Sequence, residues 1–160
     1  MMKNPSTIAS VVIIIIGFSN VAIAQAPQNE EQKIRQVIDR ATHAFGQGDF
    51  EEWSSHWMHT DGVLFTYAGS EEFNHFKGWE ELGKTMQETM SSLAETRKTD
   101  PMVERNNFHY EITNEMAWVY FNQHDNLGET TLDKFETRVL KKVDGTWKIM
   151  HVSVIEVSPY

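Results

Sequence analysis

The chain has 160 residues and carries 14 Lys and Arg against 23 Asp and Glu, a net charge of −9. That is one domain's worth of sequence, and an acidic surface of this kind repels a phosphate backbone, which argues against nucleic acid as a partner. With no Cys, disulfides and thiol nucleophiles are excluded, and five Trp, nine Phe and four Tyr must supply much of the core.

Residues 1–24 read as a secretory signal. Lys3 is the lone charge, Val11 to Ile16 form an apolar run, and Ala22 and Ala24 place small side chains where a signal peptidase cuts. Gly17, Ser19 and Asn20 interrupt the run before it reaches spanning length. The expectation is cleavage between Ala24 and Gln25, export to the periplasm or the medium, and no stable membrane insertion afterwards. The mature domain, 25–160, then carries 13 basic and 23 acidic side chains.

Residues 25–29 read as a short leader. From Glu30, Ile34, Val37, Ile38, Ala41, Ala44 and Phe45 make one helical face that stops at Gly46 to Gly48. Asp49 is an N-cap for a second, short helix. Gly62 to Gly69 is β-branched and aromatic and reads as a strand. Residues 70–76 read as an irregular connection. A third helix follows, with Trp79, Leu82, Met86, Met90 and Leu93 on one side, ending before Pro101. Four strand-like segments close the chain, at 102–113, 115–125, 131–143 and 146–157; Asp144-Gly145 is a strong hairpin turn. The order predicts an α+β fold, a curved antiparallel or mixed sheet wrapped around N-terminal helices, with a pocket at its open end.

The segments "GQGDFEEW", "DGVLFTYAG", "KGWEEL" and "TRVLKKVDGTWKIMHVS" together resemble the nuclear transport factor 2-like superfamily, and within it the SnoaL-like and ketosteroid isomerase-like members. The last hairpin is also similar to the association domain of calcium/calmodulin-dependent kinase. The resemblance implies a cone-shaped α+β barrel with an internal pocket. It also implies that Arg138 points inward as an anion-binding residue. Thr66 and Ala41 stand where ketosteroid isomerases would place their base and their helical Tyr, which argues against that activity.

Strand parity sets Glu136, Arg138 and Leu140 on one face, and His151 and Ser153 with Trp147, Ile149 and Ile155. It also sets Trp118, Tyr120 and Asn122 together, with aromatic bodies and polar tips suited to a pocket wall. The expected ligand site is therefore Arg138, Glu136, Tyr120, Asn122, Trp118, Tyr67 and Ser153, with His151 as a candidate general acid or base. It would hold a small, anionic or partly apolar molecule; the alternative is a lyase, isomerase or hydrolase acting on that molecule through His151. His56, His59 and Asp61 are too loosely spaced to imply a metal, and no sequence fingerprint implies a cofactor. An uncovered apolar sheet face implies a homodimer.

Overall fold

The computed structural model describes the backbone of residues 22–96, 102–126 and 130–157, and within the first of these the side chains of 29–93. Most of the expected signal lies outside the described residues. Helix α1 (Ala22–Gln47) begins eight residues before the expected start at Glu30, so the stretch read as a leader is helical. Its face is the expected one: Ile34, Ile38, Ala41 and Ala44 are buried. The chain turns at Gly48, whose φ of 74° suits glycine, into α2 (Phe50–Ser55). Asp49 caps that helix by accepting from the Glu52 N–H at 3.0 Å.

Strands β1 (Leu64–Ala68) and β2 (Phe73–Lys77) form an antiparallel hairpin. Residues 70–72 form the turn before β2, and residues 73–76 of the segment expected to be irregular are thus a strand. Its mixed polar composition gave no β signal, and pairing with β1 supplies its order. Helix α3 (Trp79–Thr96) follows, burying Leu82, Met86 and Met90. Then come β3 (Met102–Ile112), β4 (Met116–Asn126), β5 (Thr131–Val143) and β6 (Thr146–Glu156). The sheet order is β2-β1-β6-β5-β4-β3, antiparallel except where β1 lies parallel to β6.

All three helices pack on one face of this open sheet. Trp53 and Trp57, Phe121, Trp147 and the buried residues of α1 and α3 fill the space between. Burying a side chain such as Phe121 contributes about 1.5–3 kcal/mol relative to leaving it in water. Two irregularities set which side chains face the helices. Asn107, at φ 56°, lies at a register shift in β3. In β6, Leu140 pairs with Ile149 and Val139 with His151, so Met150 is an extra, unmatched residue. Trp147 and Ile149 face the core before it, Val152 and Val154 after it.

Candidate functional site

Between the sheet's inner face and the helices lies a cavity of about 560 Å³. One wall is apolar and aromatic: Trp53 and Trp57 from α2 and the turn after it, Phe65 and Phe76 from the β1–β2 hairpin, and Met86 from α3. The opposite wall is polar and comes from β4 and β5: Gln123, Asp125, Lys134, Glu136 and Arg138. Register brings these together, because Phe121 pairs with Glu136 and Gln123 with Lys134, so inward-facing residues adjoin across the two strands.

The polar wall is internally paired. Arg138 donates to Glu136 Oε2 from Nη2 at 2.6 Å and from Nε at 3.2 Å. Lys134 donates to Asp125 Oδ2 at 2.6 Å, and Gln123 Nε2 to Asp125 Oδ1 at 2.8 Å. Behind them Arg105 donates to Gln123 Oε1 at 2.7 Å and to Asp39 Oδ1 at 2.8 Å. Burial, and next the charge of Arg138, lower the Arg105 pKa. Tyr67 also lines the cavity and donates to Glu156, whose other oxygen accepts from the Ser70 N–H. Burial, and then this bond, hold the Tyr67 hydroxyl above its ordinary range and so protonated at neutral pH; the same bond lowers the Glu156 carboxyl.

Of the expected residues, Arg138, Glu136 and Tyr67 therefore line the cavity. The other five do not, and their expected inward placement is corrected. His151 and Ser153 turn to the outer sheet face because the extra Met150 reverses the parity that grouped them with Trp147. Burial, and secondarily the nearby His75, push His151 below its ordinary pKa, so it is neutral at pH 7. Trp118, Tyr120 and Asn122 also face outward. The inner residues of β4 are Ala117, Val119, Phe121, Gln123 and Asp125, all buried. Aromatic side chains with polar tips suit an outer face as well as a pocket wall, and parity alone does not say which. On the outer face Tyr120 stacks with His109, at 4.7 Å between ring centroids.

Sequence reasoning missed Lys134, Asp125 and the two tryptophans of the cavity wall. Lys134 was within reach: the period of two that puts Glu136 and Arg138 inward puts it there too. Among the described residues no three His, Cys, Asp or Glu side chains gather as a metal site. His56 instead pairs with Glu52 at 3.0 Å, and His59 stacks on Trp79.

Residues 34–155 match the family model of the SnoaL-like domain, and the chain belongs to that family. Solved structures agree on the fold. A candidate dehydratase of the nuclear transport factor 2-like family from Streptomyces avermitilis is 18% identical, with a TM-score of 0.65 over 84% of this chain and 100% of its own. A nuclear transport factor 2-like superfamily protein from Salmonella enterica is 16% identical, with a TM-score of 0.64 over 84% of this chain and 95% of its own. A candidate ketosteroid isomerase from Parabacteroides distasonis is 17% identical, with a TM-score of 0.59 over 77% of this chain and 86% of its own. Identities this low establish shared architecture and not shared chemistry. No curated protein matches the sequence.

Proposed function

We propose that the mature chain is an exported, homodimeric SnoaL-like domain that holds a small, largely apolar molecule in its internal cavity. The observation that carries this reading is the cavity's division into an aromatic wall and a paired polar wall. That is the usual make-up of a small-molecule site, where apolar area supplies affinity and a few polar groups fix orientation. Export rests on the residues before Gln25. Dimerisation rests on the outer sheet face, where Trp118 and Ile155 are 45% and 46% exposed beside Tyr120, Phe135 and Val139. A second copy of the same face is its natural cover, because the centre of the patch carries no carboxylate or ammonium to repel itself.

One experiment on protein purified from its own source reads two of these points. The denatured mass should correspond to a chain starting at Gln25, and the native mass should exceed it by one small molecule per subunit. Thr85→Trp, which fills the cavity from α3, should abolish that excess. Equal native and denatured masses, or an excess that survives Thr85→Trp, would refute the binding reading.

A second reading, catalysis in the same cavity, is favoured by Asp125 and Glu136, carboxylates that are buried yet line the space a substrate would occupy. His151 has no part in it, since no His is among the lining residues. Turnover of the retained molecule that persists in both Asp125→Asn and Glu136→Gln would exclude this reading.

A further inference from the structure

The charge of the ligand follows from how the polar wall spends its own charges. The wall contains two cations, Lys134 and Arg138, and a third, Arg105, stands behind it. Each has its carboxylate: Asp125 at 2.6 Å, Glu136 at 2.6 Å and Asp39 at 2.8 Å. Glu72 adds a further carboxylate to the lining. The lining therefore holds no uncompensated positive charge. An arginine read alone suggests an anion site; this arginine already has its anion, supplied by the residue two positions earlier on the same strand.

The pair nevertheless keeps atoms for a guest. Both bonds of Arg138 converge on Oε2 of Glu136. Among the described residues, Arg138 Nη1 and Glu136 Oε1 have no hydrogen-bond partner. Neither is sealed away, because the only sealed side-chain atoms without a partner among those residues are Trp57 Nε1 and Arg105 Nη2. Both residues line the cavity. Together the two residues offer N–H donors and a carboxylate acceptor on that lining, with no net charge between them.

We propose that the ligand is uncharged, an apolar body ending in a group that both accepts and donates, such as a carboxamide or an alcohol, and that the cavity discriminates against carboxylates. This rests on the binding reading above and deepens it. A carboxamide accepts from Arg138 with its oxygen and donates to Glu136 with its NH2. A carboxylate satisfies Arg138 only by bringing a second negative charge against Glu136 in a water-poor site, and it has no hydrogen to donate. The apolar body then lies between Trp53, Trp57, Phe65 and Phe76.

The test uses two probes with one ring system, 2-naphthamide and 2-naphthoate, titrated by calorimetry at pH 7.5. The amide should bind at least about tenfold more tightly than the acid anion, the worth of one good hydrogen bond and an avoided repulsion. Glu136→Gln removes the negative charge at constant volume, freeing Arg138, and should reverse the preference. The double variant Glu136→Gln/Arg138→Met removes both charges and should abolish the reversal, with circular dichroism confirming the fold of each protein. Equal or tighter binding of 2-naphthoate by the parent chain, or a preference unchanged by Glu136→Gln, would overturn the inference and leave a binding cavity of another specificity. If neither probe binds any of the folded proteins, the inference falls; the binding reading falls with it only if the native-source protein also shows no mass excess.

Discussion

Glu136 and Arg138 are 3% and 7% exposed, so neither charge is hydrated in the way a surface pair would be. Such a pair contributes little net stability, because desolvation offsets most of the attraction; breaking it is what costs, since the survivor is left buried and alone. Arg138→Met should therefore lower unfolding free energy by about 3–5 kcal/mol in urea titrations. Adding Glu136→Gln to it should restore most of that loss, as no buried charge then remains. A single Arg138→Met variant as stable as the parent would mean that Glu136 has solvent or another partner. The sequence made this pair visible by spacing alone: two charges at i and i+2 in a strand otherwise rich in β-formers share a face. It left open which face, because alternating charge is also the mark of a wet sheet surface. The resemblance of the hairpin to a known family supplied the direction.

Among the elements, the helices and the longer strands were legible because their periodicities are strong, as in the apolar face of α1 and the Asp144-Gly145 turn, whereas the short polar β2 was not. That turn has φ values of 49° and 79°, the double positive φ of a two-residue hairpin. Also illegible was the single extra residue in β6. A bulge leaves no compositional trace in "TWKIMHVSVIEV", yet it exchanges the faces of every residue after Met150. Only Val152 and Val154, apolar at alternating positions after the bulge, hint at it.

A polar contact from Glu30 adds to the apolar docking of α1 on the sheet. Glu30 meets Lys142 of β5 at 2.6 Å and accepts from Trp147 Nε1 of β6 at 2.8 Å. The bonds from Lys142 and Lys33 hold the Glu30 carboxyl at about 2, against an ordinary 4.5. A carboxyl depressed in the folded state stabilises fully above its unfolded pKa and loses that contribution as pH falls through the folded one. Glu30→Gln should thus cost only about 0.5–1 kcal/mol at pH 7, the range for a partly solvated pair. It should also flatten the stability profile between pH 4.5 and 2. A variant whose acid unfolding parallels the parent's throughout that window would show that Glu30 plays no part in it.

Across the whole molecule, the helices cover one face of a six-stranded sheet and leave the other to solvent. Strands spaced about 4.8 Å apart give that face a width of roughly 25–30 Å, enough for the ~800 Å² per partner of a standard interface. Sedimentation equilibrium at micromolar concentration should return twice the chain mass. Trp118→Arg, which places a charge in the apolar outer face, should return the chain mass with an unchanged circular dichroism spectrum. A monomeric parent would contradict the dimer, and the outer face would need another cover. His151 and Ser153 belong to this face, so the dimer account gives them contacts that the cavity does not.

An uncharged, amphiphilic molecule on the inner face should meet the Glu136–Arg138 pair. The most direct measurement is a crystal structure of the chain grown with 2-naphthamide. Ring density is expected between Trp57 and Phe65, with the amide oxygen about 3 Å from an Arg138 N–H nitrogen and its nitrogen about 3 Å from Glu136 Oε1. An empty cavity, or a probe bound instead on the outer face against Trp118 and Tyr120, would contradict it.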